Sequence, residues 1–236
     1  MRRLTVMRTM AALVLLLGCI GGSLVYLVRR EPASYREIQI PDEPQRRKLS
    51  GDFASGVQQL LDSIGNNAED RWEKTFTAEQ MNSYFVEDFV RVRPFKLPEG
   101  INSPRVCIEP GKLQLAFRYG RGFWNSVISV DMNIWLVANE ANLVAVELSS
   151  LRAGALPISM QSIQEQIAEA ARQWNVDVTW YRHEGNPVAL VRFQPDRPNP
   201  TVLLQRLELQ SGRVVIEGKS TDGAPLKSML SMKERD

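Results

Sequence analysis

The chain has 236 residues, 44% hydrophobic and 24% charged, with a formal net charge of +2. Five arginines lie in residues 1–30, which hold no Asp or Glu, and they leave 24 basic residues against 27 acidic in the rest, so the basic balance is no sign of a nucleic-acid partner. Two cysteines, Cys19 and Cys107, exclude a disulfide framework, and about 200 residues beyond the N-terminal segment suffice for one packed core.

Residues 10–28, MAALVLLLGCIGGSLVYLV, carry no charge. As a helix they cover roughly 28 Å, close to the hydrocarbon thickness of a bilayer, which predicts a membrane span. Arg2, Arg3 and Arg8 in front favour a cytoplasmic N-terminus, and the following RREP offers no small-residue cleavage site. Leu16-Leu17-Gly18-Cys19 matches a lipobox and makes Cys19 a candidate lipid-attachment residue, although the apolar run continues well beyond it. The expectation is a single-pass cell-membrane protein with residues 1–30 as anchor, 31–49 as linker, 50–220 as an extracytoplasmic domain and 221–236 as a polar tail.

The linker reading rests on three prolines and dense charge, including the Arg46-Arg47-Lys48 cluster, without sustained periodicity. Ser50 then offers an N-cap, and Phe53, Val57, Leu60, Leu61 and Ile64 recur at helical spacing before Gly65-Asn66-Asn67. Thr77-Ala78-Glu79-Gln80 is a capping box opening a second helix with Met81, Tyr84, Phe85 and Phe89 as its apolar stripe. From Arg105 the period becomes two. Leu113, Leu115, Phe117 and Tyr119, then Val130, Met132, Ile134 and Leu136, then Val144, Val146 and Leu148 alternate with polar or small residues. Pro110-Gly111, Gly120–Gly122 and Asn139–Asn142 are short enough links to imply antiparallel neighbours. A third amphipathic helix runs from Ser159 with Met160, Ile163, Ile167, Ala170, Ala171 and Trp174 on one side. Strands are expected over 176–182, 188–194, 202–210 and 213–220, the last two joined at Ser211-Gly212. The fold class is therefore α+β: an N-terminal transmembrane helix followed by a curved antiparallel sheet packed by about three amphipathic helices.

Chemistry-bearing constellations are sparse. His183 is the sole histidine and sits in a hairpin-tip sequence without ligand-spaced partners, so neither a metal nor a Ser-His-Asp relay is indicated. Cys107, between Val106 and Ile108, reads as a packed side chain. Asp131 and Glu147 lie on polar faces of strands that can be adjacent and so form a candidate carboxylate pair, with solvated surface as the plainer alternative; Glu165 and Glu169 on the third helix read the same way. No phosphate-binding glycine loop occurs, and no cofactor is expected. Trp135 falls in the polar phase of its strand, and Tyr119, Phe123 and Trp124 flank a glycine turn. These four form the candidate ligand or partner surface.

FTAEQMNSYF at 76–85 and ANLVAVELSSLRAGALPIS at 141–159, with the N-terminal segment, resemble an uncharacterised family of bacterial membrane-anchored proteins, the YpmS-like family. Thr77, Gln80, Met81 and Asn82 fit its T-x-x-Q-hydrophobic-N core, and Gly154, Leu156, Pro157 and Ile158 fit its G-x-L-P turn, with Ser159 standing where a second proline is expected. The resemblance implies an extracytoplasmic domain of no assigned activity, similar in outline to tubular lipid-binding domains. The functional expectation is a membrane-tethered, non-enzymatic domain holding a lipid or another hydrophobic ligand; the alternative is a scaffold that binds an envelope protein partner.

Overall fold

A computed structural model describes residues 2–65, 71–89, 99–121, 124–138, 140–173, 177–192 and 202–220. The chain order is α1 (Arg2–Arg29), α2 (Ala33–Glu37), α3 (Glu43–Gly65), β1 (Trp72–Thr77), α4 (Ala78–Tyr84) with a π-helical turn at Phe85–Phe89, β2 (Ile101–Glu109), β3 (Lys112–Arg121), β4 (Trp124–Leu136), β5 (Leu143–Ala153), β6 (Leu156–Pro157), α5 (Met160–Gln173), β7 (Asp177–His183), β8 (Asn186–Arg192), β9 (Val202–Gln210) and β10 (Arg213–Ser220). Seven strands form an antiparallel sheet in the order β2-β3-β4-β5-β8-β7, with β6 folded back on β5; β1, β10 and β9 form a second, three-stranded sheet. Both are open at their edges.

The expected α+β class is corrected accordingly: the described residues are mostly antiparallel strand with few helices, and the sheet does not close. The expected anchor is corrected as well. Among the described residues no helix is long and apolar enough to cross a membrane, so the single-pass span over residues 10–28, the cell-membrane location and the cytoplasmic N-terminus have no support. The helix that forms there, Arg2–Arg29, interrupts its apolar residues with Gly18, Gly21, Gly22 and Ser23.

The last turn of α1 is built onto the sheet. Its carbonyls would lack intrahelical donors, and two of them are met from outside: Ala155 N–H donates to Leu27 O at 2.9 Å and Ser126 Oγ to Val28 O at 2.7 Å. Gly154 is the close-approach point. It holds a left-handed φ of 59°, and a Cβ there would lie 2.2 Å from Val28 O.

Residues 31–49 are not a bare spacer. Tyr35 of α2 is 1% exposed, and α3 begins seven residues before the expected Ser50 cap, with Glu43 and Pro44 in its first turn, where proline's missing N–H costs nothing. Ser50 is instead buried inside the helix and donates to Asp88. Arg46 and Arg47 are paired with Glu87 and Glu43. Phe53, Val57 and Leu60 face the core as expected, whereas Leu61 is 56% exposed. The capping box forms: Gln80 N–H donates to Thr77 Oγ1 at 3.1 Å, and Thr77 N–H to Gln80 Oε1 at 2.9 Å.

The core lies on one face of the large sheet. Val106, Ile108, Leu113 and Ile134 meet Phe76, Leu209 and Val214 of the small sheet, with α3 and α4 closing over them. Further along, Val130, Leu148 and Leu151 pack under Met160 and Ile167 of α5 and against Trp180. The turns lace the two sheets together: Gly111 N–H donates to Leu209 O at 3.0 Å and Gly212 N–H to Ile108 O at 2.9 Å. Asn82 adds a clasp, its amide donating to Val106 O at 2.8 Å and accepting from Val106 N–H at 2.7 Å, so that a side chain completes the edge of β2. Asn142 does the same for β9, with Val202 O at 2.6 Å and Leu204 N–H at 2.8 Å.

Candidate functional site

The other, outer face of the large sheet carries the candidate groups described next. Strand alternation sets its composition: Gln114, Ala116 and Arg118 on β3; Val127, Ser129, Asp131, Asn133 and Trp135 on β4; Ala145, Glu147 and Arg152 on β5; Val188 and Leu190 on β8; Thr179, Tyr181 and His183 on β7. The β5 pairing jumps from Ser150 to Leu148, leaving Ser149 as a bulge that donates to Asp131 O at 3.2 Å. The face divides into two ends.

At the β2–β4 end, the segment after α1 lies across the strands. Tyr35 rests on Ala116 and Val127. Its ring lies under the guanidinium carbons of Arg105 at 4.5 Å and Arg118 at 5.5 Å, and its hydroxyl donates to Ser103 O at 3.0 Å. Arg105 also donates to Tyr35 O at 2.8 Å. Ser103, at φ 50°, belongs to the β2 irregularity where the pairing skips from Asn102 to Arg105. Two clefts flank this segment. One, of about 380 Å³, has Arg30, Arg36 and Arg152 around it and Gln114, Ser129 and Asp131 on its floor. The other, of about 400 Å³, lies by Arg29, Arg118 and Asn125, and the Arg118–Glu31 ion pair at 2.6 Å borders it.

At the β4–β5–β8–β7 end the face carries two cross-strand rows. Trp135, Ala145, Leu190 and Thr179 stand opposite one another, as do Asn133, Glu147, Val188 and Tyr181. Glu147 is 8% exposed and accepts from Asn186 Nδ2 at 2.7 Å and Asn133 Nδ2 at 3.1 Å. These two amide hydrogen bonds hold its carboxyl below the ordinary value, outweighing burial, with the charge of His183 assisting. A carboxyl whose folded value is depressed adds stability above its unfolded value and loses it as pH falls through the folded value. The difference in urea midpoint between wild type and Glu147→Gln is therefore expected to be flat above about pH 5 and to shrink below about pH 4. A difference constant over that range would refute the assignment.

The candidate Asp131–Glu147 carboxylate pair does not form. Glu147 turns toward Asn133 and β8, while Asp131 turns toward β3, where Lys112 Nζ lies at 3.0 Å and Gln114 Nε2 donates at 2.6 Å. The two carboxylates are thus bound to opposite neighbours. Of the four aromatics of the candidate surface, Trp135 is half-buried on the outer face, and Tyr119 pairs with Ser126 and Ile101 in the core-facing phase. Phe123 lies outside the described residues, and Trp124 opens β4 opposite Arg121. Cys19 is exposed on α1. Burial, then the nearby Glu109 carboxylate, pushes the Cys107 thiol up, which disfavours a thiolate. His183 is exposed at the β7–β8 turn. Among the described residues no group of His, Cys, Asp and Glu could hold a metal ion. The arginine-bordered clefts had no counterpart in the sequence reading, because Arg30, Arg36 and Arg152 come from separate segments; the lone aromatic Tyr35 in a charged stretch was the available signal.

No family profile, curated protein or solved structure matches the chain. The likeness to the YpmS-like family rests on the quoted residues alone.

Proposed function

We propose that the chain is a non-enzymatic binding domain that recognises a protein partner through the outer face of β4–β5–β8–β7. The observation that supports it is the pair of cross-strand rows, with half-buried Trp135 and Leu190 in one and an exposed Tyr181 in the other, on a face where, among the described residues, the core clusters place none of α3, α4 and α5. Tryptophan and tyrosine supply large contact area at low entropic cost, which suits them to interface centres. The hydrophobic-ligand reading has less behind it, since the two clefts beside the sheet are bordered by charged groups that would be stripped of water by an acyl chain.

The test uses a photo-crosslinking residue at Thr179, in the same row as Trp135, in cells of the native host. It is expected to give a discrete adduct that weakens about tenfold or more with Trp135→Ala, an interface hot-spot loss. The same probe at Arg47, on exposed α3 surface, gives the background. Equal labelling from both positions, or an adduct indifferent to Trp135→Ala, overturns the reading.

A further inference from the structure

The cleft between residues 30–36 and the large sheet carries a second, independent site. We infer that it binds a small, multiply charged oxyanion, a phosphate or polycarboxylate, between Arg30, Arg36 and Arg152.

Charge accounting in the cleft comes first. Its two carboxylates are already engaged: Glu31 is paired with Arg118 at 2.6 Å, and Asp131 accepts from Gln114 and faces Lys112. Arg152 donates from Nε to Ser150 Oγ at 3.2 Å, a neutral partner that leaves its charge uncompensated there. Three arginines therefore line a volume whose two acidic residues are paired with other cations. Like charges gathered in this way repel, and an anion relieves that repulsion.

Size and geometry agree. A volume of about 380 Å³ suits a small ligand rather than a single solvent ion. Guanidinium forks pair with carboxylate and phosphate oxygens two bonds at a time, and Ser129 and Gln114 on the floor supply neutral polar groups beneath. The cleft is also held open on purpose-built contacts. The end of α1 is bonded to Ser126 and Ala155, and Tyr35 is fixed under two arginines, so Arg30 and Arg36 are carried on a segment pinned at both ends. A site pinned before the ligand arrives spends little of the binding energy on ordering.

Isothermal titration of the full chain with pyrophosphate and, separately, citrate at low ionic strength is the test. Saturable one-to-one binding with Kd below about 1 mM is expected for at least one of them. Arg152→Ala and Arg36→Ala are each expected to weaken it about tenfold, as the loss of one charge-assisted contact implies. Arg47→Ala, remote from the cleft, is expected to leave it unchanged, and unaltered circular dichroism shows that the variants fold. Saturation by pyrophosphate alone assigns a phosphate ligand, by citrate alone a polycarboxylate. Failure of both to saturate by about 10 mM, or equal weakening by Arg47→Ala, overturns the inference. Neither outcome touches the Trp135 face, so the two proposals fail separately.

Discussion

Replacing Asn82 with alanine is expected to lower the folding free energy by about 3 kcal/mol, because two buried backbone groups lose their partners at once. Asn82 is 3% exposed and Val106 is equally buried, so water does not reach Val106 N–H and C=O when the amide is gone. Left unmade in such a place, each bond costs roughly 1–3 kcal/mol, and the total is a large share of the roughly 5–15 kcal/mol that holds a domain folded. Asn82→Asp separates hydrogen bonding from shape. The new carboxylate can still accept from Val106 N–H but faces Val106 O, acceptor against acceptor, which raises its folded value. A group raised in the folded state contributes most below its unfolded value and loses that contribution as pH rises. The Asn82→Asp variant is thus expected to be weakest at neutral pH and to regain stability relative to wild type as pH falls toward the carboxylate range. Urea midpoints at constant m read both effects. A loss under about 1 kcal/mol for Asn82→Ala would mean that β2 does not depend on the clasp.

The same residue illustrates where sequence reading succeeds and stops. Thr77, Gln80 and Met81 announce their roles locally, as cap, cap partner and core contact, since each interaction closes within one helical turn. Asn82 sits in the same motif, yet its partner is 24 residues on, and nothing in the local pattern points to Val106. Strands with period-two alternation and glycine turns were legible for that reason: their neighbours follow directly in the chain. β1 was not, because WEKTFT offers only two core positions and its partner β10 lies at the far end of the described chain. Gly218 belongs with it, packed so tightly that a Cβ would fall 2.2 Å from Trp72 Cζ2. Gly154 was legible as a turn but not as the seat of α1, whose own uncharged run had pointed to lipid. The proline-rich 31–49 stretch misled in the opposite sense, since proline in a first helical turn looks the same in sequence as proline in a spacer.

Tyr35→Ala is expected to show how far the outer cleft depends on this overlooked segment. The substitution removes a side chain that is 1% exposed, its stacking against Arg105 and Arg118 and its bond to Ser103 O. Truncating a buried aromatic costs about 3 kcal/mol or more. The core under α3, α4 and α5 does not include Tyr35, so the loss falls on docking of residues 31–38 rather than on global unfolding. The Arg36 amide, which donates to Pro32 O at 3.2 Å, is expected to exchange about a hundredfold faster in the variant, with Val130 and Leu148 in the core nearly unchanged. Trypsin then cuts after Arg36 at concentrations that spare wild type. Tyr35→Phe keeps ring and stacking and gives up only the hydroxyl bond, for about 1 kcal/mol, so its exchange is expected to rise only about fivefold. Anion affinity follows the same ranking, because Arg30 and Arg36 are placed by this segment while Arg152 is placed by β5. If Tyr35→Ala frees the segment and pyrophosphate or citrate still binds undiminished, the two roof arginines take no part in holding it.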